Sequence, residues 1–140
     1  MLCNNTNNGE VSLCGNCTTL RIGGISGYAK GTQVETDRQG DNNINNGKLV
    51  IKKGATVATS YFGGIIGASY DISYSNCHNF GTIELEEGAT TTTIEVGGIN
   101  GRALSSGDKD NAFVIHDCTN NAPINILSSS PATTAGGIKV

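Results

Sequence analysis

Three stretches of the chain read apolar-Gly-Gly-Ile-x-Gly: "IGGISG" (22–27), "FGGIIG" (62–67) and "VGGING" (96–101). A fourth, "AGGIKV" (135–140), begins the same way. The leading glycines, Gly23, Gly63, Gly97 and Gly136, stand 40, 34 and 39 residues apart. Self-similarity at such intervals marks an architecture in which each unit must lean on its neighbours.

A second string precedes each copy. "NTNNGEV" (5–11), "NINNGKL" (43–49), "CHNFGTI" (77–83) and "CTNNAPI" (118–124) all read [Asn/Cys]-x-Asn-x-[Gly/Ala]-x-aliphatic. Short alternating segments, "VSL", "LVI", "IEL" and "INI", follow directly, and two of them run into "GAT" (54–56 and 88–90). Alternation of period two recurs in every unit, and no helical period is sustained. One unit holds too little apolar surface to fold alone, so the units are expected to stack. Stacking aligns Val11, Leu49, Ile83 and Ile124 as one column, and Leu13, Ile51, Leu85 and Ile126 as a second. Ile25, Ile65, Ile99 and Ile138 make a third.

The predicted fold is therefore all-β: a β-helix-like solenoid of about four coils, forming a single repeat domain over residues 1–140. Neighbouring coils would lie about 4.8 Å apart, the spacing of hydrogen-bonded strands. The motif glycines are expected at sharp corners, supplying positive φ and close backbone approach. Asn7, Asn45, Asn79 and Asn120 are expected to stack at a turn, with amides bonded from coil to coil. A compact β-sandwich with fortuitous glycine pairs is the alternative.

Composition narrows the function classes. The formal charge is −3, and Lys52-Lys53 is the one adjacent basic pair, so no basic stripe is present for nucleic acid. No apolar run approaches the roughly 18 residues of a membrane span. "MLCNNTNNG" has neither the charged nor the apolar region of a secretion signal.

"FGGIIGASYDISYSNCHNFGTI" (62–83) resembles the GLUG motif: apolar-Gly-Gly-Leu/Ile-apolar-Gly, a spacer, Ile-Ser-x-Cys, then Gly-x-aliphatic. Residues 96–124 match with a longer spacer and Ala122 in place of the last glycine. Residues 22–49 match at both ends, with Asn43 where the motif has cysteine. The resemblance implies a right-handed β-helix-like solenoid of the kind found in secreted or surface-anchored bacterial proteins, some of them adhesin-like. The motif carries no catalytic residues, so it transfers none.

Cys14-Gly-Asn-Cys17 has the spacing of half a zinc site or of a redox pair. Cys77 and Cys118, near His78 and His116, could complete a ligand set. They also occupy equivalent repeat positions, which predicts a buried column of thiols or a Cys77–Cys118 bridge between coils. Five cysteines (Cys3, Cys14, Cys17, Cys77 and Cys118) cannot all pair. Glu84, Glu86 and Glu87 could supply an acid–base couple. However, Glu84 and Glu86 share the outward parity of their strand, and the matching residues Ser12, Lys48/Val50 and Asn125 form no acidic groove. "GDKDNA" (107–112), with Asp108 and Asp110, and "TDRQGDNN" (36–43) are each short of ligands for calcium. Two histidines leave little material for general acid–base work, and His116 reads as a turn or wall residue.

No catalytic, cofactor-binding or metal-ligating set is expected. The expected function is non-enzymatic: an extracellular or cell-surface solenoid that binds or self-assembles through its flat sides and loops. Expected partners are a surface glycan, a host protein or other copies stacked head to tail, with no nucleic acid and no membrane insertion. The rival is a carbohydrate-active β-helix enzyme, a polysaccharide lyase or hydrolase, which would need acidic residues aligned along one face. Neither end shows a polar cap, so the chain is expected to be an excerpt of a longer repeat protein or a self-stacking subunit.

Overall fold

The computed structural model describes residues 2–31, 39–106, 114–127 and 133–136. Period-two segments bounded by Asn, Gly and Ser become short strands throughout. The first pass comprises β1 (Thr6–Asn7), β2 (Val11–Leu13), β3 (Cys17–Gly23) and β4 (Ser26–Lys30). The second adds a leading strand: β5 (Gln39–Asp41), β6 (Ile44–Asn45), β7 (Leu49–Ile51), β8 (Thr56–Gly63) and β9 (Ile66–Tyr70). The third repeats that order in β10 (Ser73–Ser75), β11 (His78–Asn79), β12 (Ile83–Leu85), β13 (Thr90–Gly97) and β14 (Asn100–Leu104). The last consists of β15 (Ile115–His116), β16 (Thr119–Asn120), β17 (Ile124–Ile126) and β18 (Thr133–Gly136).

Among the described residues no strand pairs with its sequence neighbour. Strands pair instead with their counterparts in the next pass, giving stacked sheets such as β1-β6-β11-β16, β2-β7-β12-β17 and β3-β8-β13-β18. Every ladder among the described residues is parallel, and none of these residues is helical. A fold of this kind is an all-β solenoid of stacked parallel sheets, not an antiparallel sandwich.

The register follows the repeat. Val11 pairs with Leu49, Leu49 with Ile83, and Ile83 with Ile124; Leu13, Ile51, Leu85 and Ile126 align in the same way. Gly23, Gly63, Gly97 and Gly136 form one row. Ile25 donates its N–H to Ile65 O and Ile65 to Ile99 O, so these isoleucines lie one over another. Ile138 and the 107–112 loop lie outside the described residues, as does Asp37.

Two apolar compartments run along the stack. In the first, Leu49, Ile51, Ile83 and Leu85 face Ile22, Phe62, Ile94 and Val96. In the second, Ile65, Ile66 and Ile99 pack with Ile72, Tyr74, Cys77 and Cys118. Gly40 is flush against the Tyr74 ring and leaves it the space a side chain would take.

Candidate functional site

Asparagine is both donor and acceptor, so one residue per pass can satisfy its own turn and still reach the next pass. In the interior, Asn45 Nδ2 donates to Gly47 O (2.9 Å) and to Asn79 Oδ1 (2.7 Å). Its Oδ1 accepts from Gly47 N (3.2 Å) and from Asn7 Nδ2 (2.8 Å). Asn79 repeats the pattern with Gly81 and Asn120. Asn45 and Asn79 are fully buried with all four polar positions filled, which is how a polar column becomes tolerable inside a protein.

The glycine corner is built around this ladder. A β-carbon at Gly24 would run into Asn45, and one at Gly64 into Asn79 and the Gly98 carbonyl. Gly23, Gly63, Gly67 and Gly101 are likewise hemmed by backbone of the returning strand or of the adjacent pass. The two sequence strings therefore meet in space, the second glycine of one forming the wall against which the asparagine of the other lies. Close approach alone accounts for these motif glycines. Positive φ was expected there, yet among the described glycines it occurs only at Gly54 and Gly88, both at +84°, in the Gly-Ala-Thr turns. The tight arch brings extended strands together without reversing φ, so the expectation is corrected.

A second asparagine row was not anticipated. Asn4, Asn42, Asn76 and Asp117 hold φ of 59°, 54°, 50° and 53°, the left-handed region that Asn and Asp tolerate best. Asn42 Nδ2 donates to Asn4 Oδ1 (3.2 Å) and Asn76 Nδ2 to Asn42 Oδ1 (2.7 Å). Its signal was visible: an Asn or Asp precedes the [Asn/Cys] position in every unit.

Glu84 and Glu86 of the acidic cluster are engaged in ion pairs. Lys48 Nζ lies 3.0 Å from Glu84, and Lys52 Nζ lies 3.0 Å from Glu10 and 3.7 Å from Glu86. The Lys52 hydrogen bond holds the Glu10 carboxyl below its ordinary value. Glu86 also accepts from Lys53 N at 2.8 Å, and Glu87 is exposed. Val50, on the outward parity between Ser12 and Glu84, is nonetheless fully buried; lysine stems can cover a neighbour in this way. Beside the glycine corner the Arg21 guanidinium lies 5.1 Å from the Tyr28 ring and 5.9 Å from the Tyr61 ring. Arg102 lies 5.0 Å from Tyr61 on the next pass and 3.5 Å from Glu95.

The cysteines separate. Cys14 is exposed and Cys17 half-buried, and between them Asn16 Oδ1 accepts from Thr56 N (2.9 Å), so this stretch serves a turn. Cys77 and Cys118 stack in the column that begins Asn5–Asn43, with Thr119 N donating to Cys77 O. Both are free thiols, Cys77 Sγ donating to Gly40 O (3.0 Å) and Cys118 Sγ to His116 O (3.3 Å). The neighbouring Cys118 thiol, together with burial, pushes Cys77 far above the ordinary thiol range, while Cys77 beside it lowers Cys118 to about 7. The two thiols titrate as a pair, the first proton leaving more readily than the second.

His78 is held between Thr119 Oγ1 (2.9 Å) and Asn76 Oδ1 (2.8 Å), and His116 is exposed beside Asp117 (3.1 Å). Asp41 Oδ1 accepts from Ser75 Oγ at 2.6 Å. Among the described residues no three His, Cys, Asp or Glu side chains gather as metal ligands. A buried trio, Asn100, Ser69 and Tyr74, closes on itself through Asn100 Nδ2, 2.7 Å from Ser69 Oγ and 3.3 Å from Tyr74 Oη. Many of these polar contacts join one pass to the next, while others, such as His116–Asp117, are local. No family model matches the chain, and neither a curated protein nor a solved structure matches it.

Proposed function

We propose that the chain is a non-enzymatic structural or adhesive module: a right-handed β-helix-like solenoid of about four coils, with a repeat of 34–40 residues. In this reading it works at the bacterial cell surface or outside the cell, as a member of the GLUG-motif repeat proteins. It spaces or displays binding surfaces toward a glycan, a host protein or another copy of itself. The observation that carries the reading is the use made of polar side chains. Asn45 and Asn79 are saturated by neighbouring coils, and Glu84 and Glu86 are matched by Lys48 and Lys52. A hydrolase or lyase would need carboxylates free to exchange protons with a bound sugar.

The test is incubation of the full chain with acidic and neutral polysaccharides, scored both for retention on immobilised glycan and for released chain ends. Retention without new reducing or unsaturated ends is expected. Release of ends that disappears in Glu84→Gln would overturn the reading in favour of a carbohydrate-active enzyme.

A further inference from the structure

The second apolar compartment contains two thiols, Cys77 and Cys118, on adjacent passes. The ladder on either side of them fixes how they stand. Ser75 pairs with His116 and His78 with Thr119, so Cys77 and Cys118 lie at the same level. The turns that carry them are alike, since Asn76 and Asp117, one residue earlier, hold φ of 50° and 53°. Each thiol also donates to the carbonyl two residues before it, Cys77 to Ser75 O at 3.4 Å and Cys118 to His116 O at 3.3 Å. The two side chains therefore leave the backbone in the same direction, from strands about 4.8 Å apart. A disulfide spans Cα separations of roughly 4.4–6.8 Å, so the pair stands within bridging distance.

The surroundings suit a bridge better than they suit charge. Cys77 is wholly buried and Cys118 nearly so, in company with Ile65, Ile72, Ile99 and Tyr74. Two thiolates there would place like charges in hydrocarbon, and the pair resists losing its second proton for that reason. A disulfide carries no charge. The remaining cysteines are placed differently: Cys17 pairs with Val57, Cys14 is exposed, and Cys3 Sγ lies 3.9 Å from Gln39 O.

We infer that Cys77 and Cys118 are a redox site, closed to an intrachain bridge by a small-molecule disulfide such as oxidised glutathione. One cysteine gives its proton to solvent, and its thiolate attacks the oxidant's sulfur. The oxidant's S–S bond breaks, and one glutathione leaves with the electron pair and takes up a proton. The second cysteine, likewise deprotonated, attacks the cysteine sulfur of this mixed disulfide and expels the other glutathione. Two thiols have lost two hydrogens, and the oxidant has been reduced to two thiols. In closing, Cys77 Sγ gives up the Gly40 carbonyl, to which it donates at 3.0 Å, and turns to Cys118. The bridge staples the third pass to the fourth and closes residues 78–117 into a loop, which restricts the unfolded chain. The inference stands apart from the glycan reading, and its test involves no glycan.

Both sulfurs are buried, so the experiment refolds the full chain from urea into graded mixtures of reduced and oxidised glutathione. A parallel series stays in urea. Free thiols are then blocked, and pairing is read by intact mass and peptide mapping. Refolded chain is expected to carry Cys77 joined to Cys118 and to be lighter by the two hydrogens of that bond. Half-bridging of this pair is expected in a mixture at least about tenfold more reducing than the one needed in urea. Cys3→Ser, Cys14→Ser and Cys17→Ser combined should bridge as wild type does, and the bridged form should unfold at higher urea than the reduced form. Bridging no easier on refolding than in urea overturns the inference. So does either cysteine remaining a thiol, joining a different cysteine, or lowering the unfolding midpoint when bridged.

Discussion

Strands β7 and β12 lie inside their sheet, whereas β2 and β17 lie at its two edges. All four carry aliphatic residues at matched positions. Leu49, Ile51, Ile83 and Leu85 are completely buried, yet Val11, Leu13, Ile124 and Ile126 are only half so. Among the described residues the asparagines divide likewise, Asn45 and Asn79 saturated, Asn7 and Asn120 not. Burial at a position is thus set by whether a pass lies on both sides of it, and residue type comes second. That is the behaviour of a quasi-one-dimensional stack, whose stability resides in the interfaces between neighbours.

The contrast is sharpest where no relaxation is available. Gly64→Ala would force a methyl into the Gly98 carbonyl and the Asn79 side chain, while Gly15→Ala points into open space. The first is expected to cost about 4 kcal/mol or to abolish folding, the second to stay within about 0.5 kcal/mol. Urea unfolding of the two proteins compares them, and equal stabilities would break the distinction.

Removing a ladder amide should come next. Asn79→Ala strands donors and acceptors on two passes and is expected to cost about 3 kcal/mol, against about 1 kcal/mol for Asn7→Ala at the edge. The aliphatic columns offer a third comparison at the same register. Leu85→Ala is expected to lose about 3 kcal/mol, and Leu13→Ala about half of that or less, because the edge site is already half open to water. Thermal unfolding with matched denaturant curves measures both.

A smaller effect of opposite sign is expected at Ser60. It sits between Leu20 and Ile94 in a row that ends at Thr133, and its buried Oγ has no hydrogen-bond partner among the described residues. Ser60→Val should raise stability by about 1 kcal/mol, since a desolvated hydroxyl is exchanged for hydrocarbon. A loss would show that the hydroxyl has a partner after all.

The alkaline limb of the stability curve reports the second compartment. Burial raises the Tyr74 phenol well above its ordinary value of 10. The unfolded chain therefore releases this proton first, so stability is intact below about pH 10 and falls as pH climbs toward the folded value. Tyr74→Phe should flatten that limb, measured as the unfolding midpoint between pH 9 and 11.

Much of this was legible in the chain. Period-two alternation and the spacing of the glycine and asparagine strings gave the columns and their register, because both signals are local and repeat in phase. What the glycines were for was less legible: a motif glycine has the same letter whether it serves φ or contact, and only the packed arch distinguishes them. The meeting of Gly64 with Asn79 joins residues whose proximity depends on how the chain turns between them. Val50 looked outward by parity but is covered, a burial that alternation cannot register. The left-handed row also has a local signal, an Asn or Asp at 4, 42, 76 and 117, three positions before each ladder asparagine, but only the folded turn shows that these residues hold positive φ.

The in-register parallel stack can be tested by observing its hydrogen bonds one at a time. Scalar couplings transmitted through them in an NMR experiment should connect Val11 N–H to the Lys48 carbonyl, Leu49 N–H to Thr82, and Ile83 N–H to Pro123. Those three couplings are the expected result. Couplings from the same amides to any other carbonyl, or to antiparallel partners, would contradict the stack.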